Sequence, residues 1–168
     1  MEARIFWDST PSPIGTVFVA VNRHGAVTRL TFGLSQREFL EEAGPGAVRD
    51  RQAVAPVLTE LEEYFAGERQ AFDVPVDLAG LTPFQREVLS ATCAIPYGEV
   101  RTYGKVAALI GRPKASRAVG RALSQNPVAV IVPCHRVIAS DGSLRGYTGA
   151  GGVATKRFLL QLEGYRPA

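Results

Sequence analysis

T-Y-G-K-V-A-A-L-I-G-R-P-K-A-S-R-A-V-G-R-A-L, residues Thr102 to Leu123, holds two short helical patterns around a turn. Thr102 is an N-cap residue for a helix over Tyr103 to Ile110, and Gly111-Arg112-Pro113 turns the chain. Lys114 to Leu123 then reads as a second helix. Helix, short glycine-containing turn, helix is the layout of a helix-turn-helix. On the second helix Lys114, Arg117, Ala118 and Arg121 share one face, while Ala115, Val119 and Leu123 share another and should pack inward. Small residues around Arg117 let a helix approach a nucleic-acid backbone closely, and Lys and Arg supply the phosphate contacts that dominate affinity. Many helical hairpins are only structural; the basic face is what gives this one a functional reading.

Immediately downstream, the apolar stretch Val128 to Val132 reads as a buried strand leading into Pro133-Cys134-His135-Arg136. A free cysteine is most often a small buried hydrophobe. A thiol set between a proline and a histidine, close behind a candidate DNA-reading element, is also a candidate nucleophile. A base inside a duplex is out of reach of a buried thiol. Chemistry on a base therefore requires that the nucleotide be extruded, at a cost of roughly a few kcal/mol.

Charge is divided sharply along the chain. Residues 1–80 carry 7 Lys/Arg and 12 Asp/Glu; residues 81–168 carry 12 Lys/Arg and 4 Asp/Glu. An acidic half and a basic half suggest two units, with an anionic partner, nucleic acid above all, for the second. The expected boundary separates residues 1–79 from 80–168, with Asp77 to Leu81 as linker. Hydrophobic content of 46 % beside 21 % charged residues is that of a soluble globular protein. No apolar run is long enough to span a membrane, and Met1 to Asp8 lacks the layout of a secretory signal. Two cysteines far apart, Cys93 and Cys134, fit free thiols in a reducing compartment, so a cytoplasmic location is expected. Among Cys93, Cys134, His24 and His135 no pair has a usual ligand spacing, so no metal and no cofactor is expected.

In the first half, Glu2 to Asp8, Ile14 to Val21 and Ala26 to Phe32 read as strands, with Ser9 to Pro13 as a break. Ser35 and Glu38 form a capping box for a short helix. Gln52 to Phe65 is a helix with Val54, Val57, Leu58, Leu61 and Phe65 inside and Glu60, Glu62 and Glu63 outside. Phe72 to Val76 reads as an edge strand. Trp7 is expected in the core and His24 in a solvent-facing turn. In the second half, Thr82 and Pro83 open a helix that ends near Cys93, expected to be a buried structural thiol.

Asn126 to Val137 (N-P-V-A-V-I-V-P-C-H-R-V), Gly142 to Tyr147 (G-x-x-x-G-Y) and Lys156 to Gly164 (K-R-F-L-L-Q-L-E-G) together resemble the O6-alkylguanine-DNA alkyltransferases, single-use DNA repair proteins. The likeness is close over Thr82 to Gly164 and looser before it. It implies a small α/β first domain with a three-stranded RNase H-like sheet and helices, then a mainly α second domain carrying the helix-turn-helix. It implies double-stranded DNA containing O6-alkylguanine as partner, with O4-alkylthymine left open, a monomer, and cooperative DNA binding left open. By motif, Cys134 is the alkyl acceptor, and His135, oriented by Glu163, is its base through a water. Arg117 fills the vacated stack, and Tyr103 crowds a phosphate and donates a proton to the leaving guanine. Lys114, Arg121 and Ala118 complete the DNA-binding face. Asn126 is a hinge between helix and active-site segment. Val137, Tyr147 and Thr148 line the base pocket, and Arg136 supports the backbone beneath it. The stretch Thr148 to Gly152 is longer than the usual family spacing, which bears on the role of Thr148. The competing assignments are a non-repairing relative, which would lack the cysteine, a helix-turn-helix regulator using Cys134 as a redox or alkylation sensor, and a cysteine hydrolase, for which no oxyanion-hole motif is evident.

Overall fold

Val17 to Val21 are five consecutive residues that are all buried, which requires cover on both faces of the strand that carries them. The computed structural model describes residues 4–144 and 151–166 and divides into two compact units, residues 1–78 and 79–168. In the first unit, β1 (Ile5–Thr10), β2 (Val17–Asn22) and β3 (Val27–Phe32) form an antiparallel meander. Ser9 and Thr10 continue β1 rather than breaking it, pairing with Phe18 and Val17; the chain leaves the sheet only at Pro11. The helix α1 (Gln36–Ala43) carries the Ser35/Glu38 capping box. Its Phe39 stacks on Phe18 and tilts against Trp7, forming an aromatic cluster on one face of the sheet. The helix α2 (Arg51–Phe65) packs on β1 and β2.

The sheet has four strands, not three. A two-residue β4 (Val48–Arg49) adds parallel to β1, giving the order β3-β2-β1-β4. Side chains hold it there. The Arg49 Nε donates to Asp8 Oδ1 at 3.0 Å, the Arg51 Nη1 donates to Asp8 Oδ2 at 3.1 Å, and the Arg49 guanidinium lies 4.9 Å from the Trp7 ring centroid.

Phe72 to Val76 is not a strand. Only Val76 bridges to Val27, because the N–H groups of Asp73 and Val74 donate instead to Glu60 Oε1, at 2.8 and 3.3 Å. Glu60 is therefore turned inward, although helical periodicity placed it with Glu62 and Glu63 on the outer face. Tyr64 is fully buried at the end of α2 where Phe65 was expected, and Phe65 is only partly covered.

In the second unit, Thr82 and Gln85 form a capping box for α3 (Pro83–Cys93). Then follow β5 (Arg101–Thr102), α4 (Tyr103–Leu109), α5 (Ser116–Ser124), β6 (Val137–Ile138) and α6 (Gly152–Leu162). Helices α3, α4 and α5 pack on one another, burying Val88, Leu89, Val106, Ala107, Val119 and Ala122. Cys93 is exposed, not buried: it is the last residue of α3 and falls off the Val88/Leu89/Thr92 stripe that faces inward. No helix among the described residues is long and apolar enough to cross a membrane.

Glu60→Ala should destabilise the first unit by about 1–3 kcal/mol, because two backbone N–H groups lose their acceptor. Urea unfolding followed by the fluorescence of Trp7, the sole tryptophan, reads this unit directly; an unchanged midpoint would mean that the Glu60 contacts contribute nothing net.

Candidate active site

Gly111 ends α4 at φ 77°, a left-handed conformation that glycine adopts without steric cost. Its N–H donates to the Ala108 carbonyl and that of Arg112 to the Ala107 carbonyl, the paired bonds of a Schellman stop. Arg112 to Ala115 then form a β-turn, with the Ala115 N–H on the Arg112 carbonyl at 2.9 Å. The second helix consequently starts at Ser116. Lys114 lies in the turn before it, because Pro113 favours the turn position it occupies. Arg117 and Arg121 are exposed on α5, Ala118 is half-buried, and Val119 and Leu123 face inward, while Ala115 precedes the helix and is only partly covered.

Thr102 caps α4 through its hydroxyl and also pairs with Ile138, while Arg101 pairs with Val137. This short parallel ladder seats Tyr103, the first residue of α4, beside the segment that follows Cys134. Gly120 on α5 lies against Tyr103: a β-carbon there would meet the ring at 3.8 Å. A groove lined by Tyr103, Gly104, Ser116, Arg117, Gly120 and Ala139 results. It joins the two helices of the hairpin to the chain just beyond the cysteine.

The segment from Val128 to Val132 buries its three valines but is not a strand. Asn126 takes its backbone groups: the Asn126 Nδ2 donates to the Val132 carbonyl and Asn126 Oδ1 accepts from the Val128 N–H, both at 3.0 Å. Between these points the chain folds on itself. The Val132 N–H donates to the Val128 carbonyl and that of Ile131 to the Ala129 carbonyl, the latter closing a γ-turn about Val130 at φ 70°. Positive φ at a β-branched residue is strained backbone, costing of order 1–3 kcal/mol. A second γ-turn, Cys134 N–H to Val132 carbonyl across Pro133, delivers Cys134 to a 3-10 turn over Cys134–Arg136.

His135 is fully buried, and its Nε2 lies 2.7 Å from Glu163 Oε2. Its Nδ1 has no hydrogen-bond partner among the described residues. Arg136 binds the same carboxylate through Nε at 2.7 Å and Nη2 at 3.0 Å, and its Nη1 donates to the Ile95 carbonyl at 2.7 Å. Arg136 thus does more than support backbone. It neutralises Glu163, a contact invisible in the sequence because adjacent residues of a 3-10 turn converge on one distant carboxylate. Burial holds the His135 imidazole below its ordinary range, against the pull of Glu163 and with the Arg136 and Lys156 charges adding to the depression.

Burial pushes the Cys134 thiol up. The Asn126 side chain, the Lys156 ammonium and the backbone N–H groups of Cys134 and His135 pull it part of the way back. The resting site therefore holds a neutral thiol beside a neutral imidazole. Val137 is fully buried, and its carbonyl accepts from Lys156 Nζ at 2.6 Å. Ser116, Ala139 and Lys156 were not among the expected site residues; only Lys156 had a signal, a cation within the apolar periodicity of its helix. Tyr147 and Thr148 lie outside the described residues.

A helix-turn-helix groove in the same unit as a cysteine and a buried imidazole–carboxylate–guanidinium cluster defines a class: a nucleic-acid-binding domain with a thiol site built into it. The chain belongs to the 6-O-methylguanine DNA methyltransferase family, whose ribonuclease-like domain matches residues 5–78 and whose DNA binding domain matches residues 83–165. A methylated-DNA–protein-cysteine methyltransferase of Methanosarcina barkeri is 42 % identical over 159 residues, 95 % of this chain and 97 % of the relative. One from Mycobacterium tuberculosis is 45 % identical over 159 residues, 95 % and 92 % of the two chains. The fold is similar to the crystal structure of the M. tuberculosis O6-methylguanine methyltransferase, with TM-score 0.83 and 41 % identity over 98 % of this chain and 96 % of that one. It is equally similar to M. tuberculosis OGT in complex with DNA, with TM-score 0.84 and 42 % identity over 97 % and 96 %.

At pH 6.5, where an ordinary imidazole is half protonated, His135 should be mostly neutral by imidazole ¹⁵N NMR. The unfolded chain binds that proton and the native one does not. Stability of the second unit should therefore fall as the pH drops through the ordinary imidazole range. A half-protonated native His135 at that pH would contradict both statements.

Proposed function

We propose that this protein repairs DNA by taking the alkyl group from O6 of guanine onto Cys134, once per molecule. The observation that supports this most is the pairing of a buried His135–Glu163 contact next to Cys134 with a groove that holds both Tyr103 and Arg117. The partner is double-stranded DNA carrying the lesion. Arg121 and Lys114 hold phosphates, the half-buried Ala118 lets α5 approach closely, and Arg117 enters the stack to replace the extruded nucleotide. Asn126 ties the end of α5 to the cysteine-bearing turn, so the helix that opens the duplex and the thiol move as one body. Two free cysteines suit a reducing compartment, and this supports reading the protein as cytoplasmic.

The chemistry runs as a displacement at the alkyl carbon. His135 Nδ1 accepts the Cys134 proton through one water, and Glu163 stabilises the imidazolium that forms. The thiolate attacks; the C–S bond forms as the C–O6 bond breaks. The guanine leaves with a proton from the Tyr103 hydroxyl at N3, and Tyr103 recovers it from solvent. Val137, with its backbone carbonyl, forms the pocket wall against the base. The product is a thioether with no ready route to hydrolysis, so the acceptor is consumed.

Incubation with DNA containing O6-methylguanine should add a single methyl increment of about 14 Da, located on Cys134 by peptide mass. Cys134→Ser should bind the same DNA and take nothing. Repeated turnover, or label on Cys93, would sink the assignment.

Arg117→Ala should slow transfer from duplex DNA far more than from free O6-methylguanine, since the lost side chain costs on the order of 1–3 kcal/mol of the extrusion equilibrium. Equal losses on the two substrates would show that Arg117 acts elsewhere.

A further inference from the structure

Lys156, on the second turn of α6, is 1 % exposed. A buried ammonium is costly unless something in its surroundings needs the charge. Its Nζ donates to the Val137 carbonyl at 2.6 Å and lies 5.7 Å from the centroid of the Tyr103 ring. Val137 closes the 3-10 turn that carries Cys134, its own N–H bonding back to the Cys134 carbonyl. Lys156 therefore reaches from α6 to both neighbours of the reacting centre, the turn on one side and α4 on the other.

A neutral donor could satisfy the Val137 carbonyl equally well, so that bond does not by itself call for a charge. Among the described residues, Lys156 acts on Cys134 and His135 of the turn and on Tyr103 of α4, and next to His135 stands the Arg136–Glu163 pair. Arg136 is committed to Glu163 through two contacts, and burial keeps His135 neutral. The Lys156 ammonium is the cation whose charge acts on the Cys134 thiol. The dependence is mutual: burial brings Lys156 down to about 8, and Cys134 holds it up.

We propose that Lys156 is a positioning residue for the transfer: its ammonium fixes the Val137 carbonyl and the Tyr103 ring, and its charge favours the Cys134 thiolate. This rests on Cys134 being the alkyl acceptor. Below about pH 8 the charge is present; above it the ammonium empties, and the gain in thiolate with rising pH is curtailed.

The test uses the full chain with Cys93→Ser, which leaves Cys134 as its one thiol. Carbamidomethylation of Cys134 by iodoacetamide is timed by intact mass from about pH 6 to about pH 10, for the parent, Lys156→Met and Lys156→Arg. Near neutrality, where Lys156 is charged, the Met variant should react roughly threefold slower than the parent, while Arg keeps the parent rate. Equal near-neutral rates for Met and parent, or a loss in Arg as large as in Met, would overturn the proposal. If Lys156→Met does not fold by circular dichroism, lysine side-chain NMR of the wild-type protein decides. Methylation of Cys134 removes the thiolate, so the Lys156 midpoint should fall, and an unmoved midpoint overturns the proposal. Methyl uptake from methylated DNA, measured in parallel, separates the two claims. Uptake by wild type with equal near-neutral alkylation rates defeats only the role of Lys156; slowed alkylation of the Met variant without uptake by wild type defeats only the repair reading.

Discussion

The carboxylate of Glu163 is buried with both oxygens engaged, and it ties the 3-10 turn of Cys134–Arg136 to the end of α6. Oε1 takes the Arg136 Nε, while Oε2 takes His135 and the Arg136 Nη2. Arg136 passes the constraint to the end of α3 through the Ile95 carbonyl. The end of α6 is pinned again by the Tyr97 hydroxyl on the Leu162 carbonyl. Gly98 is part of the same fit: it stands at φ 82°, and a β-carbon there would come within 3.1 Å of the Glu163 carbonyl oxygen. A buried charge cluster of this kind is poor value as a source of stability, since well-packed apolar residues often do as well or better. What it does is hold one imidazole in one orientation, with Nε2 committed and Nδ1 left over.

The same economy governs the path from α5 to the thiol. Asn126 is bonded at both ends of the loop that follows it, and the loop is closed by γ-turns, one of them strained at Val130. Such a segment has few ways to relax. A displacement of α5 is therefore carried to Cys134 rather than absorbed on the way. The short ladder of β5 and β6 does the corresponding job for Tyr103. Cys134, Tyr103 and Arg117 lie on three different elements: the Asn126 side chain ties the end of α5 to the cysteine-bearing segment, and the pairing of β5 with β6 ties the start of α4 to it. This is how a site is kept to fractions of an ångström.

The electrostatics then set the resting state. Burial makes both Cys134 and His135 neutral in the free protein. A thiol that is used once gains from being unreactive until its substrate arrives, because oxidation follows thiolate character. The groups that favour the thiolate, Asn126, Lys156 and the turn's own N–H groups, are already in place and act as soon as the proton has somewhere to go.

The sequence alone was enough for α3, α4 and most of α5, and so for the helix-turn-helix, because caps and a stop glycine are local signals; it did not carry α6. It also singled out Cys134 and its immediate neighbours as the candidate site, since P-C-H-R keeps them adjacent in the chain. It did not carry β4, whose two residues have no periodicity and are held by the Asp8 side chain, nor the inward turn of Glu60, which answers N–H groups 13 and 14 residues away. The run from Val128 to Val132 is apolar in the manner of a buried strand, and only the capture of its backbone by Asn126 makes it a loop. Arg136 and Lys156 are the sharpest case. In sequence both are ordinary cations. Their burial, and so their effect on Glu163 and on Cys134, exists only once α6 is packed against the 3-10 turn. Desolvation and charge coupling depend on distance in space, which spacing along the chain does not report.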